Sequence, residues 1–222
     1  MKMIIIRHGE SEANYENYWT GWLDVPLTEK GRQQAAAAGA KIAAAGINFD
    51  GAYTSVLQRA MITCQTVLEV CDQLYIPVTK SWRLNERHYG ALVGKNKKQM
   101  EKEFGAEQVK KWRRGYYEMP PRLEQNQLDR RYAYLDPQTI PHAENLAMTV
   151  QRVLPLWQDE IAPQLLQQKN ILVCGHGNSL RALVKYLEQV PEDQMDTIEI
   201  PNAAPVLYEF DDNLQIISKS IL

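Results

Sequence analysis

Short apolar runs alternate with longer amphipathic stretches along the chain. Lys2-Met3-Ile4-Ile5-Ile6 is apolar at successive positions, the pattern of a strand buried on both faces. Arg7 ends it, and the polar stretch beyond, with Gly9, Asn14, Asn17 and Gly21, is expected to be a loop. Thr28 is placed to cap an alanine-rich helix running to residue 46. A short strand is expected at 49–54. Ser55 and Gln58 have the spacing of a capping box before a helix to about residue 74. Residues 76–80, opening near Pro77, predict a third strand.

From 85 to 141 the pattern changes to a basic, aromatic, loop-rich segment. Short helices are expected at 97–104 and 106–114, with no clean strand. Residues 144–167 predict a long amphipathic helix, bent at Pro155 or Pro163. An apolar run at 170–174 leads into Gly175-His176-Gly177 and a helix from 178 to about 189. Closing strands are expected at 206–210 and 215–221. Strands alternating with helices predict an α/β fold, a three-layer, mostly parallel sheet flanked by helices. The basic segment at about 85–141 is expected as an inserted helical and loop cap over one end of that sheet. The whole chain, 1–222, reads as one domain.

Composition changes this picture little. Hydrophobic residues make up 45% and charged residues 23% of 222, ordinary for a soluble globular chain. No run approaches the roughly 18 apolar residues of a membrane helix, and the N-terminal run is too short for a secretory signal. The expectation is a cytoplasmic protein with no membrane partner. Cys64, Cys71 and Cys174 form no CxxC and read as small buried hydrophobes in a reducing compartment.

Charge adds more. The net value is −2, but residues 80–131 hold 14 Lys+Arg against 7 Asp+Glu, leaving 11 against 20 elsewhere. A basic segment in an acidic chain fits either an anionic partner or a solvated helix face. Nucleic acid is not the expected partner, because the chain is not basic overall and lacks an aromatic RNP-like motif.

Two places share one arrangement. Ile4-Ile5-Ile6 runs into Arg7-His8-Gly9, and Ile171-Leu172-Val173-Cys174 runs into Gly175-His176-Gly177. Each puts a histidine at the carboxyl end of a buried strand, where open α/β sheets bind ligands. Arg7 offers a planar, bidentate phosphate contact. Arg59 lies one turn into the helix after Tyr53-Thr54-Ser55, near another strand end. Asn178 and Ser179 open a helix whose amides favour anions. His8, His88, His142 and His176 show no HxH or HExxH spacing, and arginine beside His8 would repel a cation, so no metal is expected. Gly90-Ala91-Leu92-Val93-Gly94-Lys95 lacks Walker A spacing.

Taken in order, these motifs resemble the cofactor-dependent phosphoglycerate mutases of the histidine phosphatase superfamily. The resemblance rests on Arg7-His8-Gly9-Glu10-Ser11, Thr20-Gly21-Trp22, Tyr53-Thr54-Ser55 with Arg59-Ala60, and Leu84-Asn85-Glu86-Arg87-His88-Tyr89-Gly90. It continues through Trp112-Arg113-Arg114-Gly115 and Gly175-His176-Gly177-Asn178-Ser179-Leu180-Arg181. It implies that His8 is the nucleophile, that Arg7, Arg59 and His176 surround the transferring phosphoryl group, and that Glu86 moves the substrate's proton. It further implies that Gly9, Glu10, Ser11, Asn14, Thr20, Gly21, Arg87, His88, Tyr89, Lys97, Arg113, Arg114, Gly177 and Asn178 bind substrate. The implied reaction interconverts 2-phosphoglycerate and 3-phosphoglycerate, with phospho-His8 primed by 2,3-bisphosphoglycerate and without a metal. The implied partners are small phosphorylated carboxylic acids and a second copy of the chain, in a homodimer or homotetramer. A phosphomonoesterase of the same superfamily and a bisphosphoglycerate synthase would share these groups, and a non-catalytic phosphate sensor is the reading from a different class.

Three features depart from the resemblance. The chain stops at Leu222, where many relatives carry a polar tail, which implies easier access of water to phospho-His8 and bisphosphatase leakage. The 126–140 segment looks short and lacks a Gly-His-Asp-Pro element. Pro201-Asn202-Ala203-Ala204-Pro205 has alanine at 203 where glycine is expected.

Overall fold

The computed structural model describes residues 1–125 and 129–222. The chain opens with β1 (Lys2–Arg7), a single helical turn α1 (Glu12–Tyr15), and helix α2 (Glu29–Ala44). Strand β2 (Gly51–Thr54), helix α3 (Gln58–Val70) and strand β3 (Val78–Lys80) follow. Beyond them come α4 (Lys97–Phe104), α5 (Ala106–Arg114), α6 (Leu146–Leu156) and α7 (Ala162–Leu166). Strand β4 (Ile171–Gly175), helix α8 (Gly177–Leu187), and strands β5 (Val206–Phe210) and β6 (Ile216–Ile221) complete the chain.

The six strands form one sheet in the order β3-β2-β4-β1-β5-β6. The first four run parallel, and β5 and β6 close the sheet antiparallel. Alternation along β1 explains the three layers. Met3 and Ile5 face α6 and α8 in one apolar cluster, while Ile4 and Ile6 face α2 and α3 in another. All four are fully buried, as expected for a strand covered on both sides. Parallel pairing brings Arg7 level with Gly175, so the residues after β1 and β4 emerge side by side.

Several local expectations need correction. The segment after Arg7 contains α1, where Ser11 caps the turn and Asn14 bonds back to the Ser11 amide; Asn14 reads as a turn residue but serves the cap. The capping box expected at Ser55 and Gln58 does not form. Leu57 is the N-cap of α3 and makes no side-chain cap bond. The second strand begins at Gly51, not 49, and the third at Val78, not 76. The helix expected over 144–167 is three pieces, α6, a π-type turn Trp157–Ile161, and α7. Pro163 has no N–H for the carbonyl four residues back, and the wider turn absorbs that break. Pro155 lies inside α6.

No strand falls within 85–141 among the described residues. Met100, Val109 and Trp112 of α4 and α5 pack with Trp19 and Leu92 into a small core of their own. The expectation of a shortened 126–140 segment lies partly outside the described residues. Among the described residues no helix is long and apolar enough to cross a membrane.

Candidate active site

A small cleft opens at the carboxyl ends of β1 and β4. Arg7, His8, Arg59, Gly177 and Asn178 line it from the sheet side, and Glu86, Tyr89, Lys97, Arg113 and Arg114 from the 85–141 segment. Asn14, Thr20 and Gly21, also expected, line it too. Six cationic side chains, counting Arg181, face one carboxylate, Glu86.

His8 is buried at the centre. Its amide donates to the Gly175 carbonyl at 3.0 Å, so the two strand ends hold it jointly. Its ring Nδ1 lies 2.7 Å from the Gly9 carbonyl. A carbonyl only accepts, so Nδ1 carries the proton and Nε2 keeps its lone pair. Burial, then Arg59 and Arg7, hold the His8 pKa well below its ordinary value. The ring is therefore a neutral imidazole with a free nitrogen. Glycine at 9 is obligatory for a packing reason. A Cβ there would sit 2.2 Å from the Gly31 carbonyl oxygen at the start of α2.

His176 lies behind His8, with ring centroids 5.0 Å apart. Its Nε2 is 2.8 Å from Ser55 Oγ, and that hydroxyl already accepts the Leu57 amide at 3.2 Å. The other ring nitrogen of His176, Nδ1, is buried without a partner among the described residues. The bond to His176 is the reason Ser55 does not cap α3. Burial, then Arg59, holds His176 neutral as well.

Arg59 is anchored by the carbonyls of Leu23 and Gly21, at 2.8 and 2.9 Å. Burial lowers its pKa to about 10, so it stays charged at neutral pH. Arg7 Nη1 donates to the Ile200 carbonyl at 2.9 Å, while its Nε is buried without a partner. Ala203 donates its amide to the Arg7 carbonyl at 2.9 Å, and Asn202 Nδ2 bonds the His8 carbonyl at 2.8 Å. Ala203 does so with φ at +49°, the left-handed conformation that favours glycine. That is the physical content of the glycine expected at this position.

The Glu86 carboxylate is bonded unequally. Its Oε1 accepts from the Arg87 amide at 2.7 Å, the Asn178 amide at 3.1 Å and Asn178 Nδ2 at 2.9 Å. Its Oε2 accepts no hydrogen bond among the described residues and lies 3.6 Å from where a Cβ on Gly177 would stand. Lys97 is driven down to about 8 by burial first, then by Arg113 and Arg7.

Not every expected residue reaches the cleft. Gly9, Glu10, Ser11, Arg87, His88 and His176 do not line it. Glu10 turns away to Lys30 and Thr28, at 3.0 and 3.1 Å. Arg87 donates to the carbonyls of Trp112 and Arg113 at the end of α5, at 2.6 and 2.8 Å. His88 accepts the Gly90 amide on Nδ1, and burial takes its pKa to about 4. Ser11 caps α1. Conversely, Tyr18, Trp19, Arg181 and Ile200 line the cleft without having been singled out. Arg181 was legible in principle, because it lies four residues after Gly177 on one face of α8. Among the described residues no cluster of three or more His, Cys, Asp and Glu side chains is arranged to hold a metal ion.

The sequence model of the histidine phosphatase superfamily (branch 1) matches residues 3–134 and 123–220. A 2,3-bisphosphoglycerate-dependent phosphoglycerate mutase of Streptococcus agalactiae is 53% identical, covering all of this chain and 99% of that protein. One from Lactiplantibacillus plantarum is 52% identical over the whole chain and 98% of its own length. Among solved structures, a mycobacterial glucosyl-3-phosphoglycerate phosphatase superposes with a TM-score of 0.75 at 21% identity, covering 99% of this chain and 96% of that one. At that identity the likeness is one of fold.

Proposed function

The chain belongs to the histidine phosphatase superfamily, and from that premise we propose that it interconverts 2-phosphoglycerate and 3-phosphoglycerate through phospho-His8. Similarity to the named mutases over the full chain supports the reaction. The observation that carries it is the His8 ring, neutral, with Nδ1 tied to the Gly9 carbonyl and Nε2 free in a cleft of cations. Residues 85–141 act as a cap that completes this cleft within a single mutase-like domain.

The cleft fits a small acid with anionic groups at both ends, because six cations outnumber one carboxylate and Arg7 Nε awaits an acceptor. Bound 2,3-bisphosphoglycerate supplies the phosphoryl group that primes His8. His8 Nε2 forms the bond to phosphorus as the phosphorus–oxygen bond to the carbon skeleton breaks. Glu86 Oε2 gives its proton to the departing oxygen, and takes one back from the hydroxyl that attacks in the reverse step. Arg7, Arg59 and His176 surround the phosphoryl group, and the two guanidiniums offset the charge that builds on its equatorial oxygens. Lys97, Arg113, Arg114, Asn14, Thr20, Gly21, Tyr89, Gly177 and Asn178 hold the rest of the substrate.

The test is a coupled assay with 3-phosphoglycerate, with and without a trace of 2,3-bisphosphoglycerate, alongside acid-labile labelling of the protein. Activity should depend on the bisphosphate, and His8→Ala should lose both activity and label. Turnover that ignores the bisphosphate but requires manganese, or label that persists in His8→Ala, would overturn the reading.

A further inference from the structure

Arg181 sits in α8 one turn beyond Asn178, buried and lining the cleft. Its hydrogen bonds go to the protein. Nη1 donates to Asn178 Oδ1 at 2.9 Å, and Nη2 donates to the carbonyls of Arg114, at 3.2 Å, and Met195. A guanidinium has donors only, so the amide oxygen of Asn178 must face it. The other end of that amide, Nδ2, then points at Glu86 Oε1, 2.9 Å away, and at the Tyr89 hydroxyl, 2.8 Å away. Both protons of Nδ2 are thereby committed. Together with the Arg87 and Asn178 amides, this loads three donors onto Oε1.

With three donors on Oε1, Oε2 is the oxygen of this carboxylate left free to exchange a proton with substrate. The rotation of the Glu86 carboxyl group therefore depends on the orientation of the Asn178 amide, and that orientation depends on Arg181. We propose that Arg181 is a positioning residue for proton transfer, acting through Asn178 to hold Glu86 with Oε2 toward the reacting hydroxyl. This rests on the phosphotransfer reading above and gives a cleft arginine a task other than gripping phosphate.

Two phosphoryl donors separate the possibilities. Phosphoryl transfer from 2,3-bisphosphoglycerate releases phosphoglycerate as an alkoxide that needs a proton, whereas p-nitrophenyl phosphate releases a stable phenolate that does not. Single-turnover phosphorylation of His8 is followed with each donor in the wild type, Arg181→Met and Arg181→Lys. Correct acid–base positioning contributes upward of about a hundredfold; partial loss of it in Arg181→Met should slow the bisphosphate reaction by about tenfold or more. The aryl reaction should slow by less than about threefold. Arg181→Lys, which keeps one donor for Asn178 Oδ1, should recover part of the difference. All rates are taken at saturating donor, so that weaker binding of the bisphosphate does not enter, and Arg181→Lys decides the matter by the ratio of the two donors' rates if Arg181→Met does not fold. Equal loss with both donors means that Arg181 grips the phosphoryl group or merely supports the fold, and the inference is wrong. A wild type that takes no phosphoryl group onto His8 from the bisphosphate removes the underlying function itself.

Discussion

The bond from His8 Nδ1 to the Gly9 carbonyl leaves Nε2 as the ring's only lone pair, and burial keeps it unprotonated. Reactivity at this residue needs no auxiliary base. Lys97 is shifted in the same direction, toward its neutral form, although anionic groups of a substrate call for its charge. Burial, Arg113 and Arg7 bring its pKa to about 8, so it is cationic below that pH and loses its charge above it. We expect kcat/KM, which reports the free enzyme, to fall as pH rises through about 8, chiefly through KM. Lys97→Arg should extend the plateau to higher pH; a profile identical to the wild type would take Lys97 out of substrate binding. Much of this chemistry is legible in the sequence, because Arg7, His8 and His176 follow apolar runs that can only be strands. Tyr18 and Trp19 are not, because their presence in the cleft depends on how 85–141 folds back over the sheet. Glu10, Arg87 and His88 stand in the right motifs, but their side chains turn to neighbours that no local pattern reveals.

At the scale of elements, Arg152 of α6 does what no loop residue could. It pairs with Glu144 through Nε at 2.6 Å and Nη2 at 2.9 Å, with both side chains nearly fully buried. Its remaining donors reach the carbonyls of Trp82, Arg83, Asn85 and Glu86. The backbone that carries Glu86 is thus fastened to a helix. Removing one partner of a buried pair costs about 3–5 kcal/mol, so Arg152→Met should lower the unfolding free energy by that amount in urea. Adding Glu144→Leu should return part of it; a loss below about 1 kcal/mol, as for a surface pair, would contradict this role. The hydrophobic period marks α6 as amphipathic but is silent about an arginine turned inward. It also misses the π-type turn, since Pro163 announces a break without saying how the backbone absorbs it.

Across the whole molecule, His8, His88 and His176 are buried and held neutral, with His88 at about 4. Unfolded, each would take a proton near pH 6.5. The stability they contribute is complete above that value. It falls as pH drops, by up to about 1.4 kcal/mol per pH unit for each group, until the folded chain also accepts the proton. Urea midpoints should drop steeply between about pH 6.5 and about pH 4, and a flat profile would mean that these rings are solvated. The α/β architecture itself follows from periodicity, whereas the strand order and the antiparallel closure by β5 and β6 are settled by packing between distant segments.

The imbalance of charge in the cleft, six cations against Glu86 with Arg7 Nε lacking an acceptor among the described residues, reaches beyond turnover. A phosphorylated acid that settles there binds the native chain and not the unfolded one. By mass action, ligand at a hundred times its Kd adds about 2.7 kcal/mol of stability. The metabolite pool thereby becomes a determinant of how long the protein survives, and a starved cell would lose enzyme as well as flux.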